Sequence, residues 1–520
     1  MAIRSSPALR PFEPPQPWSV LAPILAGFVI ASGMTLVLME VNLIWPILAM
    51  AAVIGFLPTL VVKEPHLYWL SVFLFTSALE IKKNLVDGFK IREVFNLDYE
   101  LPIFVPEIRL SDLAFLMLLG WWLLRLLGRR ERFRFPPVAL LAVGYLGWAA
   151  LSLLGAPNRY LGAVQLARDT KFFVVFLFAV NNIDSKRMVR VIAAALLAML
   201  VLQAGLTLAR YQFKFGFLGG SMLGRADDVS DATLLTINEV DGRISGGRRA
   251  FGTIPSPAGT AEHLLLLLPV ALFAGFSTSN ASRRAAFFAL AAVGTAALVV
   301  TYSRAALSGF IVGLVLAAVL AQRRQIIPRR MLAIAIVLVS VAAVGISPLV
   351  YKYYRSRTSQ VPIRFVQYWT ALSMIKANPI LGVGLNNSAG LQRDYNPDLS
   401  TVPLNDPTKI SWKAPIHNYF LSMTADIGIV GTAFFLTFFA FICREGYRWT
   451  RSPDHEISLA ACAVLVAIVS LLTSVLADPL YQDGTQTLLW FFSGLTFAFG
   501  RIAAETPAPA ANRRFAGRFF

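Results

Sequence analysis

The chain has 520 residues, a net charge of +18 and a mean hydropathy of +0.63; 56% of its residues are hydrophobic and only 15% are charged. A soluble chain of this length carries more charge and divides into several domains. The balance excludes that class and points to a protein that crosses a membrane many times.

The first stretch, "MAIRSSPALRPFEPPQPW", is rich in Pro and has no small-residue cleavage site, so the apolar segment after it reads as a retained helix. A membrane helix needs about 20 mostly apolar residues. On that rule the chain holds fourteen candidate spans, in order: 18–38, 43–62, 66–80, 111–128, 136–155, 167–182, 188–208, 260–278, 285–301, 304–321, 331–350, 416–442, 457–477 and 485–501. The third is short and the sixth is interrupted by Lys171. The expected fold is therefore all-α and polytopic, with about 14 (12–14) transmembrane helices. It divides into an N-terminal bundle (1–208), a loop (209–259), helices 260–350, a large loop (351–415) carrying interfacial helices, C-terminal helices (416–504) and a tail (505–520).

Orientation follows from the basic connections. "RLLGRRERFRF", "DSKRMVR", "SRR", "QRRQIIPRR", "CREGYRWTRS" and the tail "NRRFAGRFF" all fall on one side if the N-terminus is cytoplasmic. Lys and Arg in short cytoplasmic loops set topology, so both termini are expected inside. The basic excess then reads as an orientation signal and a lipid contact, and nucleic acid is not required as a partner. The two cysteines, Cys443 and Cys462, fall near one cytoplasmic rim, which argues against a disulfide framework. "GLGG" and "GVGL" are too short and wrongly placed for nucleotide loops. No His, Cys, Asp or Glu cluster has metal-ligand spacing, so neither a metal nor a cofactor is expected. The long loops 209–259 and 351–415 lie outside, as do 81–110 and 156–166; large outer loops on such a scaffold suggest an extracytoplasmic substrate.

Three features gather on that outer face. Arg304 opens the tenth span in "TYSRAALSGFIVG", followed by small residues that let helices pack closely. An Arg at membrane depth is costly unless paired or facing a polar cavity; snorkelling to lipid phosphate is the alternative. In "VPIRFVQYWTALSMIKANPILGVGLNN", Arg364, Tyr368, Leu372 and Ile375 fall at helical spacing. They describe an amphipathic helix along the interface, stopped by Pro379, Gly382 and Gly384. His417 and Asn418 stand in the first turn of the twelfth span. A helix N-terminus disfavours a charged imidazole and leaves a neutral ring able to accept a proton. Asn418 can donate to an oxygen, orient the ring, or simply cap the helix. Secondary candidates are Arg248 and Arg249 ahead of the eighth span, Glu262 (with His263) at its start, and Asp478 in the last outer turn. Glu262 or Asp478 could pair with an Arg or assist a base.

Two guanidiniums and one imidazole on one face fit a lipid pyrophosphate. Arg binds phosphate oxygens bidentately, and a neutral His takes a proton from an attacking hydroxyl. At these residues the sequence resembles the O-antigen ligase/polymerase superfamily of bacterial envelope glycosyltransferases. The pieces are "SRAALSG", the stretch from Arg364 through "NPILGVGLNN", and "HNYFLSMTADIGIVGTAFF", in family order across roughly residues 250–445. The resemblance implies a GT-C-like fold with a periplasmic active site. It implies an undecaprenyl-pyrophosphate-linked glycan donor and inverting, metal-independent transfer to lipid A-core or another glycan. It places Arg304 and Arg364 on the pyrophosphate and His417 on the acceptor hydroxyl; Arg248, Arg249, Asn418, Tyr368, Glu262 and Asp478 are expected, from their places on the outer face, as substrate-binding residues. A ligase is the first expectation and an O-antigen or exopolysaccharide polymerase the second; a protein hydroxyl is a further possible acceptor. A flippase would instead show ionisable residues at mid-span and broken helices in both halves.

Overall fold

A computed structural model describes residues 64–79, 82–84, 107–128, 132–213, 249–254, 256–326, 360–395 and 415–505. The chain divides into two units, Met1–Tyr68 and Trp69–Phe520. Residues 64–68, the described part of the first, contain the opening turn of helix α1 (Pro65–Ser77). Every other described element belongs to the second unit.

The candidate spans 18–38, 43–62 and 331–350 lie outside the described residues. The others are all helical: α1, α2 (Leu110–Leu127), α3 (Ala139–Ser152), α4 (Arg159–Asn182), α5 (Lys186–Phe213), α6 (Pro257–Ser277), α7 (Ala281–Val300), α8 (Arg304–Arg323), α10 (Tyr419–Trp449), α11 (His455–Ser474) and α12 (Asp483–Glu505). The remaining helix, α9 (Gln360–Ala377), lies in the segment expected to be interfacial. Eight helices among the described residues are long and apolar enough to cross a membrane, so the protein is a polytopic, helical membrane protein. The all-helical expectation needs one amendment. Two short strands, β1 (Lys82–Asn84) and β2 (Glu107–Arg109), pair antiparallel with Lys82 opposite Arg109.

Layering follows from how each helix spreads its apolar residues. Helices α6, α11 and α12 are mostly buried, whereas α2 and α7 turn most of their surface outward. Helix α8 lies against α11 through Gly309 and Gly313, which abut Ser470; a side chain at either glycine would strike it. Lys171, which seemed to interrupt a span, sits within the 24-residue α4. Its ammonium reaches Asp112 of α2 at 3.2 Å and Asp483 of α12 at 2.8 Å.

Helix α10 is broken. Gly428 takes φ 72° and ψ 178°, a conformation only glycine adopts cheaply. The loop after α9 fills the gap. Val383 N–H donates to the Ala425 carbonyl and Gly384 N–H to that of Asp426, both at 2.9 Å, while Ile429 N–H donates to Pro379 O at 2.8 Å. Backbone groups released by the break are thus satisfied by the 379–384 loop, as a buried break requires. The same loop is tied to the α3–α4 turn, because Asn387 exchanges hydrogen bonds with the Asn158 backbone at 2.9 and 3.1 Å.

Helix α9 corrects the expected stripe. Its packed face is Val366, Gln367, Thr370, Ala371 and Met374, and Leu372 is exposed together with Phe365 and Trp369. Ala371 and Met374 join Val383, Ile416 and Ala425 in a small core. This core fixes α9 against the first turns of α10 and so places Arg364 and Gln367.

Candidate active site

The site forms where the ends of α6, α8 and α11 meet the starts of α9 and α10. Asp478 lies in the turn between α11 and α12, its side chain only 11% exposed. Arg364, one turn into α9, stands 3.7 Å from it and donates to the neighbouring Ala477 carbonyl at 3.2 Å. Arg304 is the first residue of α8, after the N-cap Ser303, whose hydroxyl also hydrogen-bonds Asp478. Arg249 is held near the end of α7 by donation from its Nε to the Thr301 carbonyl at 3.0 Å. Burial pushes the Asp478 carboxyl above its ordinary range; the charges of Arg364, Arg249 and Arg304, with the Ser303 hydroxyl, pull it down without cancelling the effect. Glu262, in α6, lies within electrostatic reach of Asp478. It is 1% exposed, and its Oε1 has no hydrogen-bond partner among the described residues. Among the described residues, three guanidiniums face the Asp478 carboxyl.

His417 borders this cluster. Its Nδ1 contacts Gln367 Oε1 at 2.9 Å. An amide oxygen only accepts, so this contact puts a proton on Nδ1 and leaves Nε2 as the basic nitrogen of a neutral ring. Burial, and after it the Arg364 charge, lower its pKa from 6.5 to about 4, with the Pro415 carbonyl opposing both. The imidazole is therefore neutral and able to accept a proton at physiological pH.

The structure brings Arg304, Arg364, Arg249 and Asp478 together, with Glu262 beside them and His417 next to Arg364. Arg248 lies outside the described residues. Two placements differ from expectation. His417 precedes α10 rather than sitting in its first turn, because Asn418 is the N-cap, its side chain accepting from Leu421 N–H at 2.9 Å. Its neutrality thus comes from burial and a neighbouring cation, with no need of the helix terminus. Tyr368 spends its hydroxyl on the His417 carbonyl at 2.7 Å, which holds the His417 segment in place. His263 turns away from the cluster, toward Thr485 at 3.3 Å and Met199 at 3.0 Å. Gln367 escaped the sequence reading; the signal was its place one turn after Arg364 on the same helix. Among the described residues, no group of three or more His, Cys, Asp or Glu side chains is arranged to hold a metal.

Fold and site together define a polytopic helical membrane protein with an Arg-rich cluster and a neutral His at one end of its bundle. Residues 264–436, about a third of the chain, match the family model described as O-Antigen ligase, which supports the resemblance to the O-antigen ligase/polymerase superfamily. Arg304, Arg364 and His417 all fall within the matched region. A comparison with curated proteins finds no match.

Proposed function

We propose that the protein transfers a glycan from undecaprenyl pyrophosphate to an acceptor hydroxyl on the periplasmic side of the bacterial inner membrane, as an O-antigen ligase-like enzyme. The observation that carries this reading is the set of three guanidiniums around Asp478 beside a neutral His417, largely within the matched domain. Arg304, Arg364 and Arg249 hold the pyrophosphate oxygens, and Asp478 keeps their forks oriented when no ligand is bound. His417 Nε2 takes the proton of the acceptor hydroxyl. The new bond forms between that oxygen and the anomeric carbon from the face opposite the leaving group, so the configuration inverts. The bond from the anomeric carbon to the pyrophosphate oxygen breaks, and the arginines stabilise the charge that builds there. Asp478 limits the net charge of the empty site. Lipid A-core is the proposed acceptor.

The test is transfer by the purified full chain, given a lipid-linked oligosaccharide with and without lipid A-core. A single conjugate that depends on the core supports the ligase reading. A ladder of longer glycans replaces it with a polymerase of the same superfamily. Absence of both products overturns the proposal.

A further inference from the structure

The next part of the chain after each of two cluster residues opens onto a second feature. Tyr419 follows His417 and Asn418, and residues 479–481 follow Asp478; both line a cavity of about 60 Å³. That is room for several waters or the edge of a larger polar group. Asp169 of α4, Tyr145 of α3, Asp426 of α10 and Asn386 of the loop after α9 complete its polar wall, and none of its lining residues is Lys or Arg.

The two carboxyl groups are held in fixed orientations. Tyr145 donates to Asp169 Oδ2 at 2.7 Å and Gln165 to its Oδ1 at 2.8 Å. The backbone N–H groups of Asn387 and Ser388 donate to Asp426 Oδ1 at 3.0 and 2.7 Å. Other polar groups on the same wall are unused. Asn386 Nδ2 is buried with no hydrogen-bond partner, and the Tyr419 hydroxyl has none among the described residues. Burying a donor unsatisfied costs as much as a lost hydrogen bond, so this wall fits a ligand that both donates and accepts. A phosphate is the wrong occupant, since carboxyl groups line the space and no cation does. A hydroxyl-rich, uncharged ligand matches it: its O–H groups donate to the carboxyl oxygens, and its oxygens accept from Asn386 and Tyr419.

Taking the transfer reaction above as its premise, we propose that this cavity seats an uncharged sugar ring of one of the two glycans next to the reacting centre. It is a specificity subsite, separate from the pyrophosphate-binding arginines.

The experiment uses the purified full chain in detergent and saturation-transfer NMR with glucose, galactose and N-acetylglucosamine. Tyr419→Phe removes a hydroxyl that no protein group uses. Asn386→Gly removes the amide and suits a backbone at φ 59°. Neither change has a reason to disturb the fold, which circular dichroism checks. At least one sugar should bind the wild type, with a dissociation constant raised about three- to tenfold in each variant. It should be unchanged in Arg364→Ala and unaffected by added inorganic pyrophosphate. Failure of all three sugars to bind, or equal binding by wild type and both cavity variants, overturns the proposal. Transfer kinetics of Tyr419→Phe then assign the source. A raised acceptor KM means the ring is the acceptor's, and a raised donor KM means the donor's. Both unchanged also overturns it. Sugar binding that maps to the cavity in a protein without transferase activity sinks the proposed function and leaves the subsite standing.

Discussion

Asp478 and Asp483 are five positions apart, and each is faced by three cations, yet the two arrangements differ. Asp483 is closed in: Arg168 pairs with one oxygen, Lys171 reaches the other at 2.8 Å and Arg109 Nε stands at 3.2 Å. Those partners come from β2 and α4, so the acid locks the ribbon and α4 to the start of α12. Asp478 has Arg364 only at 3.7 Å and remains above the usual carboxylate range despite Arg249 and Arg304. A tight network spends its charges on holding helices together. A loose one leaves Arg364 within reach of the anion proposed for this site.

The largest effect is expected at the base. His417→Ala should lower transfer by about 10²–10⁴-fold, the usual worth of a positioned general base, with membrane insertion and helix content intact; retained turnover moves the base elsewhere. At the tight acid, Asp483→Ala should cost stability rather than chemistry. Removing one member of a buried ionic group costs about 3–5 kcal/mol, read as a lowered melting temperature, whereas Asp478→Asn should leave melting nearly unmoved and impair turnover. Equal melting losses in the two variants would erase the distinction. Arg364→Lys should cost about tenfold or more in kcat/KM, because an ammonium lacks the planar fork; full activity would indicate a simple point charge. The smallest expected effect is on pH. His417 titrates at about 4 when folded against an ordinary 6.5. The base is therefore present above about 4, and turnover should stay level from pH 8 to about 5.5 and fall only below that. A limb at 6.5 would contradict this. In the same window the unfolded chain takes a proton that the folded one refuses, so stability declines as pH falls from 6.5 toward 4.

The apolar runs made the described spans legible, because length and composition alone select a helix in lipid. The break in α10 was hidden for the same reason: "ADIGIVGTAFF" is an almost unbroken apolar run, and Gly428 departs from the helix only where the Ile380 carbonyl presses against it. A broken helix was expected of a flippase in both halves; here the break faces a loop that satisfies it, beside a cavity at one end. Arg304 and His417 stood out at span mouths, and Arg364 on an amphipathic stretch of the large loop. Gln367 did not, since a neutral amide on a helix carries no periodic signal. The cavity was equally hidden, because its wall is assembled from α3, α4, α10, the loop after α9 and the turn before α12.

The central claim is that the arginines around Asp478 bind a lipid pyrophosphate. The most direct measurement is the affinity of the full chain, in lipid nanodiscs, for undecaprenyl pyrophosphate, compared between wild type and Arg364→Ala. The account predicts affinity about tenfold or more weaker in the variant. Equal affinity in the two proteins would contradict it.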